Sequence, residues 1–473
     1  MEDPEAYLRA MAARLAWAQE GSPLPVTRFS VEAVANAFVM LGLLPAARAE
    51  EILAAQRPVV EAAGFRVGRE IGELSVTSEA RAFQEARATG ANSPRWTPLA
   101  VAAGPVRCRL PGHDLTITSA TLTPEGIWLR YHGNAQEGDR PEAGAIAKEV
   151  ADEITQLSIT DDTGGTYLVP PGKVNGRACG RAGRRSASGR PLWIPEGDFL
   201  AVLAPGQAAS AGGRPAVRWL EFSAGPGQGT PSRLEIRSPA AVPTGTAEPA
   251  WPTPAEAYLA QLAPVYDWSI GSFETGSIEL DAPEIVAAVA SALLAVGALP
   301  PGSALLTAAH YRERRPARAD WQRAVTHTWA DAARERARRA GRVNGAGLAV
   351  PVPLEQAAAV IENITAHEDL VSVRLYGYPW VPEGSFPMIA PCFRITATDD
   401  TGVKHDGMPD SSSHSPAHDG TGSFWFWPPV ATQAKQLRVI VSTLWEAAWA
   451  LIDIPGRQPA PASSGEPRGP TPP

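Results

Sequence analysis

The 473-residue sequence predicts an α+β protein of two homologous units, each a helical segment followed by an antiparallel β-sandwich. Three observations lead there. Short matches recur in the same order in the two halves. Within each half the apolar period changes from about 3.6 to about 2 residues. The change falls at corresponding places.

The matches are the strongest signal. "EAYLRAMA" from Glu5 returns as "EAYLAQLA" from Glu256, an offset of 251. "LGLLP" at 41–45 returns as "VGALP" at 296–300, an offset of 255. "TPEG" at 123–126 meets "VPEG" at 381–384, an offset of 258, and "DDTG" at 161–164 meets "DDTG" at 399–402, an offset of 238. The late drop in offset is accounted for by an extra polar stretch in the first half, "GNAQEGDRPEAGAIAKEVADE".

Each half opens with helical periodicity. Val31, Val34, Phe38 and Leu41 form a stripe after Ser30, read as an N-cap, and Pro45 shortly after Gly42 ends the run. In the second half Asp281 and Glu284 form a capping-box pattern ahead of Ile285, Val289, Leu293 and Val296. Both stripes are expected to pack on the rest of their own unit. The period then shortens: "LTITSATL", "IWLRYHG", "QLSIT", "TYLV", "LWI" and "RWLEF" read as strands, as do "LVSVRLYGY", "CFRITAT", "SFWFW" and "LRVIVSTLW". Short strands with no helices between them predict the sandwich. The run into Asp-Asp-x-Gly, an aromatic-Pro strand and a final alternating strand resembles bacterial immunoglobulin-like sandwich domains of unknown function, a resemblance that implies a fold and no activity.

The expected boundaries are helices over 1–95, a sandwich over 96–240, a Pro-rich linker over 241–254, helices over 255–348, a sandwich over 349–455, and a disordered tail over 456–473. A net charge of −8 argues against general nucleic-acid binding, which needs a positive surface. No apolar run approaches the roughly 18–20 residues that span a bilayer. The N-terminus reads as no signal peptide, and Cys108, Cys179 and Cys392 lack metal or disulfide spacing. A reduced, cytoplasmic protein that lies on no membrane is the expectation.

Asp-Thr-Gly is also the catalytic triplet of the aspartic peptidases, where each lobe supplies one copy and the two carboxylates share a proton. Asp162 and Asp400 would be that pair. The chain departs from the family pattern: Gly165 and Val403 stand where Ser or Thr follows the Gly, and Asp161 and Asp399 where an apolar residue precedes the Asp. Asp-Asp-x-Gly is also a preferred hairpin turn, with Asp accepting from nearby N–H groups and Gly supplying positive φ. A duplicated domain duplicates its turn, and the turn is the reading adopted, with no catalytic residue assigned.

"KHDGMPDSSSHSPAHDG" holds His405, Asp406, Asp410, His414, His418 and Asp419, residue types that suit zinc or nickel. Its Ser, Gly and Pro content predicts a hairpin loop without fixed ligand geometry, so no metal or other cofactor is expected. The corresponding loop of the first half is basic, with Lys173, Arg177, Arg181, Arg184, Arg185 and Arg190 and no acid among them. A second basic stretch, 311–342, places Trp321 and Trp329 near two helical turns apart and reads as an amphipathic helix. In "SFWFWPP", Phe424 and Phe426 share one face, and Trp425 and Trp427 the other, which must find a helix, the sister unit or a partner. No Walker loop, GxGxxG after a strand, GxSxG, HExxH or CxxC pair is present. The function class these observations predict is a non-catalytic binding or scaffold protein. Its contact residues would be Arg177, Arg181, Arg184, Arg185, Trp425 and Trp427, and its partner a protein before a nucleic acid. The alternatives are a hydrolase with the Asp162/Asp400 pair, or a binder of an anionic partner through the Arg-rich segments.

Overall fold

The computed structural model describes residues 1–17, 28–62, 74–89, 100–262, 282–303 and 344–457, apart from 103–105, 123–125, 135, 138–139, 172–173, 186–187, 189, 206–216, 224–230, 238–241, 368–369, 382–388, 391 and 415–419. The basic stretch at 311–342, the expected cap Asp281 and the Pro-rich tail beyond 457 lie outside these residues.

Four helices come first: α1 (Pro4–Trp17), α2 (Arg28–Met40), α3 (Ala46–Ala62) and α4 (Ser78–Thr89). The first β unit follows with β1 (Ala100–Ala102), β2 (Val106–Arg109), β3 (Asp114–Leu122), β4 (Gly126–Gly133), β5 (Gln136–Glu137), α5 (Arg140–Ile154), β6 (Ser158–Asp161) and β7 (Thr166–Leu168). It ends with β8 (Val174–Arg185), β9 (Pro191–Leu203), β10 (Trp219–Ser223) and β11 (Ser232–Arg237). Next come β12 (Thr244–Ala247), helix α6 over 254–262 and α7 (Ala282–Ala295). The second β unit holds β13 (Asn344–Val352), β14 (Ala358–His367), β15 (Leu370–Tyr378), β16 (Arg394–Asp399), β17 (Lys404–His414), β18 (Gly420–Trp427), β19 (Gln436–Ser442) and β20 (Ala447–Asp453).

The two β units share a strand order. The first sheet runs β1-β11-β10-β6-β7-β9-β4-β3-β2, with β5 and β8 also paired to β9. The second runs β12-β20-β19-β16-β17-β18-β15-β14-β13. Position by position these are one antiparallel topology written twice. The sandwich expectation gives way here. Each unit is one continuous hydrogen-bonded sheet, and β1 pairs with both β11 and β3, which rolls the first into a barrel. Period-2 alternation identifies strands with one buried face, but it carries no information on which strands pair.

The helices also correct an expectation. The stripes of α2 and α7 do not serve separate units. Val31, Val34 and Phe38 share one core with Ile285, Val289 and Leu293, with α1, α3, α4 and α6, and with the inner face of the second sheet. The first sheet has its own core, closed by Val150 and Ile154 of α5. That helix is the extra polar stretch of the first half, so a helix does lie between strands. Ser30 is buried inside α2 and is not its cap. Within the expected linker, residues 244–247 form β12 and pair with β20.

The sequence matches at helix ends prove to be matched backbone devices. At "LGLLP" the N–H of Gly42 donates to Val39 and those of Leu43 and Leu44 to Phe38. At "VGALP" Gly297 donates to Leu294, and Ala298 and Leu299 to Leu293. Both close their helix with the same C-terminal cap.

Candidate functional site

The two Asp-Asp-Thr-Gly segments close hairpins in the same way. Asp161 Oδ1 accepts from Thr163 N at 2.9 Å, Thr163 Oγ1 at 2.7 Å and Gly165 N at 2.8 Å. Asp399 Oδ1 accepts from Thr401 N at 3.0 Å, Thr401 Oγ1 at 2.7 Å and Val403 N at 2.9 Å. Gly164 and Gly402 take φ of 86° and 89°, the left-handed region where Gly is free of Cβ strain. Burial works against the charge of both Asp161 and Asp399, but the converging donors outweigh it and hold each carboxyl below its ordinary value.

The second Asp of each pair ties the turn to the neighbouring strand. Asp162 accepts from Arg218 N at 2.9 Å and Arg218 Nε at 2.8 Å, and these contacts lower its pKa. Asp400 accepts from Lys435 N at 3.0 Å. Arg218 and Lys435 are equivalent, since Leu220 pairs with Asp161 as Leu437 pairs with Asp399. Asp162 and Asp400 thus belong to different sheets, each engaged within its own.

His405 is drawn into the same frame. Its Nδ1 lies 2.7 Å from the Pro428 carbonyl and its Nε2 3.3 Å from Asp399 Oδ2. The equivalent contact in the first unit is made by Tyr167, whose hydroxyl donates to Asp161 Oδ2 at 2.6 Å. Both ring nitrogens of His405 therefore face protein acceptors. His414 lies on β17, while His418 and Asp419 fall outside the described residues. Among the described residues no group of three His, Cys, Asp or Glu is placed to hold a metal ion.

The basic and the His/Asp segments occupy matching hairpins. β8 pairs with β9 and β17 with β18, and Phe199 and Phe424 mark the same register on β9 and β18. The loop expectation is corrected for both segments: Arg177, Arg181, Arg184 and Arg185 all lie on strand β8, and His405, Asp406, Asp410 and His414 on strand β17. The neighbouring strands β9 and β18 supply backbone partners that local composition does not reveal. Trp425 is buried with Leu370, and Met408 and Trp427 pack against that pair. The second face of "SFWFW" thus finds its own sheet, with Trp427 at the margin.

A small cleft lies between α4 and the second sheet, lined by Phe83, Arg87, Gln356, Pro379, Phe393 and Trp445 among others. Arg87 stacks on Trp445 with its guanidinium carbon 4.0 Å from the ring centre. Among the described residues the lining contains no carboxylate or imidazole. Its Cys392 thiol is pushed up by burial, which works against the nucleophilic thiolate.

Among the described residues, the most heavily charged buried cluster stands out in the structure but not in the sequence. Arg374 on β15 donates through Nη2 to Asp198 Oδ1 of β9 at 2.5 Å, and through Nε to Glu362 Oε2 of β14 at 2.6 Å. Thr421 Oγ1 completes its contacts at 2.6 Å. Thr121 of β3 donates to Glu362, and Arg130 of β4 to Ser423 of β18. Beside them Trp128 and Leu200 of the first sheet bury Tyr376 of the second. The two sheets therefore meet through a polar, buried seam. Burial opposes the Arg374 charge, yet Asp198 and Glu362 hold the guanidinium above its ordinary value. Glu362 is raised by burial, with Asp198 adding to the effect and Arg374 opposing it. The sequence signal was a single Arg at mid-strand in both "IWLRYHG" and "LVSVRLYGY".

No family model and no curated protein matches the chain. Among solved structures, the conserved domain protein from Bacillus anthracis is similar over 74% of this chain and 79% of its own, at 8% identity and a TM-score of 0.17. That likeness is too slight to carry an argument. Among the described residues no helix is long and apolar enough to cross a membrane.

Proposed function

We propose that the protein is a non-catalytic, cytoplasmic binding scaffold whose contact elements are the β8–β9 and β17–β18 hairpins. One observation carries this reading: the two hairpins hold the same place in the two sheets, yet one is strongly basic and the other rich in His and Asp. The Asp-centred turns and the helix caps, by contrast, keep the same backbone chemistry in both halves. Opposite chemistry at matching hairpins fits recognition on a fixed frame, the use to which loops of immunoglobulin-like and other β folds are put. The partner that suits the β8 hairpin is a protein with an acidic surface. The engagement of Asp162, Asp400 and His405 within the frame favours this reading over a hydrolase.

The test is retention of the full chain on immobilised polyanion (heparin) across a salt gradient. Arg177, Arg181, Arg184 and Arg185 changed together to Ser should elute at clearly lower salt with the same unfolding midpoint. Unchanged elution, together with unchanged capture of partners when 173–190 and 404–420 are both replaced, would remove the support for the hairpins.

A further inference from the structure

The contacts across the buried seam repeat with the two units exchanged. In the first unit Ile117 pairs with Tyr131, residue 118 is bulged out, and Ser119 pairs with Arg130. In the second Ile361 pairs with Leu375, residue 362 is bulged out, and Asn363 pairs with Arg374. The bulges fix the register, so Arg130 and Arg374 are the same residue of the repeat, 244 positions apart. On the next strand Arg130 pairs with Asp198 and Arg374 with Ser423, which makes Asp198 and Ser423 equivalent. Across the seam Arg374 donates to Asp198, and Arg130 donates to Ser423. Residue i of one unit meets residue j of the other, and j meets i. That reciprocity is the signature of a twofold, isologous interface.

We infer that the β3–β4–β9 face is a self-recognition surface, that the partner it fits is a second copy of the same fold, and that this chain is such a dimer fused into one polypeptide. The β14–β15–β18 face supplies the second copy in cis. The fusion freed the two halves to differ. One half of the seam keeps an Arg–Asp pair reinforced by Glu362, whose equivalent is Thr118, and the other has an Arg–Ser pair. A seam related by symmetry has a property that an arbitrary packing contact lacks, since a charge moved to the equivalent position meets an equivalent partner.

Urea unfolding of the full chain tests this with two cycles. Asp198→Ser should lower the midpoint, Ser423→Asp should leave it no lower than the native chain, and the double variant should regain more than half of the loss. Arg130→Met should lower the midpoint more in the Ser423→Asp background than in the native one, because Asp at 423 takes Arg130 as its partner. Should Asp198→Ser not fold, the second cycle decides alone. Purely additive losses in the first cycle, or an equal effect of Arg130→Met in both backgrounds, would overturn the inference.

Discussion

Asp161 and Asp399 each gather three donors onto one oxygen, and a fourth group meets the other. Removing such a hub takes the shared acceptor from the turn's N–H and hydroxyl donors, at about 1–3 kcal/mol for each group that water does not reach. Asp161→Ala and Asp399→Ala should therefore lower the thermal midpoint clearly, whereas Asp162→Asn and Asp400→Asn should do so far less and leave any peptide cleavage unchanged. The folded pKa of both hubs is depressed, so their stabilisation is present above the ordinary carboxylate pKa and is lost as pH falls through the depressed value. Acid titration of stability should show this loss in the native chain, and a smaller one in the Ala variants. Glu362 has the opposite sign. Its raised pKa means that the stabilisation of the protonated form is lost as pH rises through that value. Glu362→Gln should accordingly reduce stability near neutral pH less than Asp198→Asn, compared by urea midpoint. The catalytic look of Asp-Thr-Gly was legible as a turn because Gly at the fourth place and Asp at the first both serve a hairpin. The Arg374 cluster was less so, since a charged residue inside an apolar strand looks the same whether it faces water or a second sheet.

At the scale of elements, Gly164 and Gly402 offer a measure of how alike the two turns are. No atom lies within 4 Å of a Cβ placed at either, so an Ala there meets backbone strain and no clash. Each Gly→Ala change should lower stability by about 1–2 kcal/mol, nearly equally in the two turns. Unequal effects in calorimetry would show that the turns differ in support. The ends of α2 and α7 and the apolar strands followed from local period and Gly/Pro punctuation, whereas the start of α2 and the polar strands β8 and β17 did not. Other elements did not. β12 is a polar Thr-Gly-Thr-Ala edge strand without alternation, so it read as linker. Helix α5 carries Ile146, Val150 and Ile154 at fourfold spacing, but its charged remainder masked the stripe. Strand partners rest on contacts remote in sequence, which is why a rolled sheet and a sandwich share one strand pattern.

At the scale of the molecule, the duplication read from short matches becomes a pair of sheets with one topology, although one match fails: "TPEG" lies between β3 and β4, whereas "VPEG" follows β15 in the chain. The helices of both halves gather on the second sheet, so the expected division into self-contained units is replaced by one large core, one smaller core and a charged seam. An amphipathic stripe specifies that a helix must be covered and not by which sheet. Breaking a buried charge pair by removing one partner typically costs about 3–5 kcal/mol, so loss of Asp198 should weaken the hold between the two sheets. On that frame the divergent hairpins are the proposed place for recognition. The most direct test of the frame is amide hydrogen exchange on the full chain with Asp198→Asn. Faster exchange is expected in β9 and, across the seam, in β14 and β15, with β10–β11 and β19–β20 unchanged. Faster exchange confined to the first sheet would contradict a seam that couples the two units.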